Sequence, residues 1–300
     1  MHVIVLDKSR FPRDKTCAGW ITTAIVRELA LSKQDYARDN ILQPITGFRT
    51  GVIGRPANVQ THYGEIVSYG IRRCEFDHYL LRQCGATLLL GEPLKSLVTE
   101  DGHYIVNGHI QTRLVVGAGG HFCPVARLLN PDKSDHSHVI QAQEVEFRMT
   151  TEQQRRCHVA AEVPELYFSP DMQGYGWCFR KRDYLNIGLG REGERRLGNH
   201  VIKFVHHLCH TARIDFEPPG LFKGHAYRLY GRTERRWIGE GLLLIGDALG
   251  LASPQSGEGI RPAIESGLMA ANIIANLNGN YREDNLVAYT NWIQDRFGRP

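Results

Sequence analysis

The stretch GDALGLASPQSGEGI, residues 246–260, decides the fold. It follows the apolar run LLLI, 242–245, and opens GIRPAIESGLMAANIIANL, 259–277, whose apolar positions recur at helical spacing. A strand, a glycine-bounded turn and a long helix are therefore predicted in succession. The start of a helix carries unsatisfied amide donors and a partial positive charge. It suits an anion or an electron-rich ring edge. Gly257 and Gly259 let the backbone approach a flat ligand closely. The Asp247 carboxylate can accept hydrogen bonds from sugar-type hydroxyls.

Working outward, the N-terminal run HVIVL, 2–6, is rich in β-branched residues and ends at Asp7. An acid after such a strand matches the second strand of a dinucleotide-binding unit, where the carboxylate meets a ribose. A first strand, a G-x-G-x-x-G turn and a helix should precede it. The sequence begins without them. Residues 20–32 have helical spacing, and 45–70 suggest short strands broken by glycine. EFDHYLLRQC, 75–84, is predicted helical, and ATLLLG, 86–91, a strand. Apolar runs at 94–99, 103–107 and 110–116 are separated by Asp101-Gly102 and Asn107-Gly108, the chemistry of tight hairpins. A β-meander follows from that. Strand-like pieces at 143–149 and 184–190 and a helix near 199–212 mark a β-rich stretch between two α/β ends.

The bulk numbers agree with a soluble globular enzyme. Hydrophobic residues make up 42% of the 300 and charged residues 23%, with a net charge of +4. Basic pairs are scattered and not interleaved with aromatics, which argues against nucleic acid as a partner. Seven cysteines, an odd number without C-x-x-C spacing, argue for a reducing compartment rather than a disulfide framework. No run reaches the length of a membrane span, and no signal peptide is apparent. A cytoplasmic setting is expected, compatible with peripheral contact with a membrane.

At this point a resemblance becomes plain. Residues 246–260 resemble the G-D-A-x-G-x-x-x-P-x-x-G-x-G-I box of FAD-dependent oxidoreductases of the p-hydroxybenzoate hydroxylase class. DKSRFPRDKTCAG, 7–19, is similar to the D-K-x-x-F-P-R-x-K-x-C-G-G stretch of the geranylgeranyl reductase family within that class. Arg73 with Phe76, Asp77 and Leu80 resembles its R-x-x-F-D-x-x-L segment. VVGAGGHFCPVAR, 115–127, stands where the family has G-A-D-G-x-x-S-x-V-A-R, and YGWCFRK, 175–181, resembles Y-x-W-x-F-P-K. Several boxes in order, from residue 2 to about 280, make the likeness specific.

The resemblance implies an FAD cofactor. Asp7 would meet the adenosine ribose, with Lys8 beside it. Arg73 would lie near the pyrophosphate, and Gly117 and Gly119 would line the cofactor. Asp247 would bind the ribityl chain, with Pro254, Gly257, Gly259 and Ile260 facing the isoalloxazine. It places Cys17 near the flavin ring, where it could tune redox state or proton delivery. Lys15 and Arg13 nearby could lower the thiol pKa, yet a small hydrophobe lining a pocket is an equal reading. Tyr175, Trp177 and Phe179 alternate, so they share one face of a strand. That face is either core or an apolar wall for a long hydrocarbon substrate, and the resemblance favours the wall, with Trp177 as a candidate catalytic residue beside Cys17. The chain departs from the family at Gly119, Arg180 and Ala18, which replace Asp, Pro and Gly. HHLCH, 206–210, has metal-like spacing but no marked remote ligand, so no metal is expected.

The expectation is an α/β protein. A glutathione reductase-type FAD domain, 1–135 with 238–300 and lacking its first βα unit, would carry an inserted antiparallel-sheet substrate domain, 136–237. The expected activity is hydride transfer from reduced flavin to C=C bonds of an isoprenoid or prenyl-lipid substrate, with an external electron donor. Flavin-dependent monooxygenase or halogenase-like chemistry is the alternative, although no W-x-W-x-I-P stretch occurs. A truncated relative without flavin is a further one. Because the glycine loop is the usual holder of the pyrophosphate, the sequence as written is expected to bind FAD weakly or not at all, and to be a fragment or to start too late.

Overall fold

A computed structural model describes residues 2–131, 138–193, 196–232 and 235–299. Its contacts divide the chain into two compact units. One gathers Met1–Phe11, Gly85–Val139 and Tyr227–Pro300. The other gathers Pro12–Cys84 and Ile140–Ala226.

In the first unit, strand Ile4–Asp7 pairs in parallel with Thr87–Leu90. Strand Val115–Gly117 pairs in parallel with Leu242–Leu244, which also turns back on Ile238–Gly239. Parallel pairs rich in Leu and Val are the signature of a covered α/β sheet. Helix Ile260–Asn276 and helix Glu283–Phe297 supply that cover. Leu243, Leu244, Leu286, Tyr289 and Ile293 are fully buried among them, and the Tyr289 hydroxyl donates to the Leu244 carbonyl at 2.8 Å. The meander forms as Leu97–Glu100, His103–Val106 and Ile110–Thr112. Both of its turns put two successive residues at positive φ, Asp101 at 47° with Gly102 at 73°, and Asn107 at 53° with Gly108 at 76°. That is the type I′ geometry which matches the twist of the strands it joins.

The second unit is built on a seven-stranded sheet. Its order is Lys223–Arg228, Val139–Arg148, Tyr184–Glu192, Gly174–Lys181, Glu165–Phe168, Gly47–Val52, Asn58–His62. From Val139–Arg148 to Asn58–His62 neighbouring strands run antiparallel, except Glu165–Phe168 with Gly47–Val52, which is parallel. Residues Pro12–Cys84 fall with this unit, and strand Gly47–Val52 joins them to its sheet. Within 136–237 the pairings Val139–Arg148 with Tyr184–Glu192, Tyr184–Glu192 with Gly174–Lys181, and Gly174–Lys181 with Glu165–Phe168 are antiparallel, as expected, and the parallel pair is made with Gly47–Val52. One face packs under helix Gly198–His210, where Val145, Cys178, Ile187 and Leu189 meet Phe204. At Gly176 a Cβ would fall 2.7 Å from the Phe204 ring, so the helix lies directly on the strand.

Residues 20–32 differ from the expected single helix. Trp20–Thr22 form a strand antiparallel to Ser68–Ile71, and the helix runs only over Thr23–Glu28. Ile21 and Thr22 are β-branched and suit the sheet. The Thr22 side chain then caps the helix by accepting from the Ile25 amide. Among the described residues no helix is long and apolar enough to cross a membrane.

Candidate functional site

In the first unit the turn after Leu242–Leu244 has the predicted form. The chain passes through a single 3-10 turn at Gly246–Ala248 and re-enters helix at Ile260. The Gly246 amide donates to the Ser266 hydroxyl at 3.1 Å, which pins the turn to the helix. Gly259 is the N-cap and brings no capping side chain. A Cβ there would fall 3.1 Å from Asp247 Oδ1, and one at Gly257 would fall 2.6 Å from the Tyr227 hydroxyl. Gly257 also holds φ at +67°, where a side chain is strained. Asp247, Gly257, Gly259 and Ile260 are thus brought together at one helix start, half-buried, with Pro254 exposed on the connecting loop.

Asp7 ends strand Ile4–Asp7. Its Oδ1 accepts from the Ser9 amide at 2.7 Å, and its carbonyl accepts from the Gly91 and Glu92 amides. The carboxylate is therefore fixed at the strand end by its own turn. Lys8 beside it is exposed. Gly117 closes strand Val115–Gly117, and a Cβ there would strike Leu244 at 2.6 Å. Gly119 precedes the short 3-10 turn Gly120–Phe122 and lies against Cys123.

The remaining candidates lie in the second unit. Arg73 opens helix Arg73–Gln83 and grips Asp77 one turn on with two hydrogen bonds, 2.7 and 2.8 Å. Arg13 reaches the same carboxylate at 2.9 Å. Burial alone would raise the Asp77 pKa, but the two guanidinium groups outweigh it and hold the carboxyl below its ordinary value. Cys17 sits in hydrogen-bond contact with Arg73. Its cationic neighbour is thus Arg73, while Arg13 is engaged with Asp77 and Lys15 Nζ lies 3.4 Å from His225 Nε2.

Tyr175, Trp177 and Phe179 share the sheet face opposite helix Gly198–His210. Phe179 is buried, with Trp20 6.5 Å away. The Trp177 indole packs over Gly188, where a Cβ would be 2.2 Å from the ring. Tyr175 is half-buried, its ring 6.0 Å from Trp177.

Sequence reasoning missed what stands beside Trp177. Trp177 Nε1 donates to Asn186 Oδ1 at 2.7 Å. The Asn186 amide nitrogen donates to Glu144 Oε2 at 3.0 Å, to Glu146 Oε1 at 3.3 Å and to the Cys17 carbonyl at 3.1 Å. Lys181 Nζ, itself buried, contacts Glu146 Oε1 at 2.8 Å, and Arg72 Nε contacts Oε2 at 3.1 Å. Burial raises both carboxyls, and the balance then parts them. The two cations draw Glu146 below its ordinary value. Glu144 is pushed up to about 7, chiefly by burial and against the pull of Lys181. The signal was the pair Glu144-x-Glu146, two acids on one face of a strand that also carries Val139, Ile140, Ala142, Val145 and Phe147, with Asn186 inside a mostly apolar strand. Among the described residues no group of three or more His, Cys, Asp or Glu converges as a metal site.

No family model matches the chain. It is 27% identical over 250 residues to a digeranylgeranylglycerophospholipid reductase of Methanococcus vannielii, covering 78% of this chain and 62% of that protein. It is 26% identical over 317 residues to a menaquinone reductase of Mycobacterium tuberculosis, covering 99% and 75%. The geranylgeranyl bacteriochlorophyll reductase-like protein of Thermoplasma acidophilum has the same fold, with a TM-score of 0.81 at 21% identity over 99% of this chain and 77% of that one. The flavin-dependent halogenase CmlS shares it more distantly, with a TM-score of 0.69 at 17% identity over 99% and 58%. The chain is thus similar in sequence to a prenyl-lipid reductase and a menaquinone reductase, and it shares its fold with the reductase-like protein and the flavin-dependent halogenase.

Proposed function

We propose that the chain is an FAD-dependent reductase of C=C bonds in an isoprenoid or prenyl-lipid substrate, supplied with electrons by an external donor. The observation that carries the reading is the Asp247 carboxylate set against the bare, glycine-capped start of helix Ile260–Asn276. Gly257 and Gly259 add no side chain of their own there, and Gly259 leaves the helix start without a side-chain cap, which fits a flat cofactor beside amide donors. When bound, the flavin supplies hydride to the substrate carbon. Asp247 binds a ribityl hydroxyl, and Gly257 and Gly259 admit the ring, with Pro254 and Ile260 beside them. Asp7, Lys8, Arg73, Gly117 and Gly119 complete the set of proposed cofactor contacts. Cys17 lines the cofactor, and the aromatic face of Tyr175, Trp177 and Phe179 receives the apolar chain. The names of the relatives, reductases acting on prenyl lipid and on menaquinone, support this class of substrate.

The test is reconstitution with excess FAD, chemical reduction of the flavin, and addition of a prenyl lipid without oxygen. Flavin reoxidation with saturation of the lipid is expected. Gly257→Ala should raise the Kd for FAD about tenfold or more, because the methyl meets both a positive φ and Tyr227. Reoxidation by oxygen with an aromatic substrate, and none by prenyl lipid, would establish monooxygenase chemistry instead.

A further inference from the structure

Reduction of a C=C bond by hydride leaves one carbon in need of a proton, and the buried cluster beside Trp177 contains a group built to give one. Glu144, Gly188 and Trp177 stand in one row across three adjacent strands. The row has no side chain at its middle, so the indole occupies the space over Gly188 on the side of Glu144. Asn186 ties the two together, accepting from the indole and donating to the Glu144 carboxyl. The same amide leans on the Cys17 carbonyl.

We propose that Glu144 is the proton donor of the reduction, an inference that rests on the proposed prenyl reductase activity. The substrate π bond breaks and two C–H bonds form. Hydride from the reduced flavin makes one, and the proton of the Glu144 carboxyl makes the other. The alkene gains two electrons, the flavin loses two, and the Glu144 carboxylate regains its proton from solvent.

The neighbouring groups are less suited. Glu146 is kept ionised by Lys181 and Arg72, and Lys181 is fully buried and spent on that pair. Lys223, on the strand alongside, pairs with Asp14 at 2.6 Å. Cys17 is in contact with the Arg73 cation. Glu144 is the member whose burial keeps it an acid up to about pH 7. Two carboxyls whose surroundings push their proton affinities apart are the usual mark of an acid and its charged partner.

The test pairs turnover with infrared spectroscopy on protein without cofactor. In wild-type protein carrying carboxyl-labelled glutamate, a protonated carboxyl band should titrate away near pH 7 and be absent from E144Q. In the flavin-loaded enzyme, E144Q should lower prenyl reduction at least 100-fold while leaving chemical reduction of the flavin unchanged. E144D should restore part of the rate, with its fall toward alkaline pH displaced. No such band in wild type overturns the proposal whatever the activity. Full turnover by E144Q overturns the proton role and leaves the reductase reading standing. No prenyl reduction by wild type overturns both.

Discussion

Asp77 stands between two guanidinium groups, and its removal exposes how much charge the second unit keeps out of water. The carboxylate is mostly buried, as are Arg73 and Arg13. Asp77→Asn leaves both cations facing a neutral amide. Breaking a buried pair from one side costs about 3–5 kcal/mol, and a loss of that order is expected in urea unfolding at pH 7. The pH dependence follows from the depressed pKa. The native pair contributes fully above the pKa of an unfolded aspartate, and the contribution is lost as pH falls through the lower native value. The gap between variant and wild type should therefore narrow in acid. Arg73 and Asp77 are four residues apart, so the pair was readable as one face of a helix. That Arg13 joins it, 64 residues back along the chain, was not.

At the scale of elements, the aromatic strand is shaped by what lies across from it. Gly188→Ala would place a methyl 2.2 Å from the Trp177 ring and 2.9 Å from the Gln143 carbonyl. The ring must leave its place, and overpacking of this kind costs about 1–3 kcal/mol. Chemical denaturation should show that loss, and near-UV circular dichroism should show an altered tryptophan environment. The alternation of Tyr175, Trp177 and Phe179 was legible, because a strand has period two whatever it pairs with. The glycine beneath the indole and the acid beside it were not, since both depend on the register of strands that sequence does not number. The type I′ turns of the meander were legible for the opposite reason. Asp-Gly and Asn-Gly specify their own backbone, and nothing distant can overrule them at an exposed turn. Residues 20–22 show the reverse case. Their helical spacing gave way to a pairing with Ser68–Ile71, almost fifty positions further on.

Across the whole molecule, the seven cysteines report on both units at once. All are free thiols in the structure. Cys123, Cys157 and Cys178 are buried, Cys17, Cys74 and Cys209 partly so, and Cys84 is exposed. A thiol reagent under native conditions should modify Cys84 first. Burial also pushes the Cys157 and Cys178 thiols up, Cys178 far above its ordinary value, which removes the reactive thiolate. Those two should stay unmodified until denaturant is added, as mass spectrometry of labelled peptides would record.

The division of the chain also sets an order of events during synthesis. The second unit draws on Pro12–Cys84 and Ile140–Ala226, and the last strand of its sheet, Lys223–Arg228, is complete once the ribosome has passed residue 228. The first unit has its opening strand at Ile4–Asp7, yet Leu244 waits for Tyr289 on helix Glu283–Phe297 to close over it. The first unit is thus the later one to close, and until then strand Ile4–Asp7 has Thr87–Leu90 as its pairing partner among the described residues.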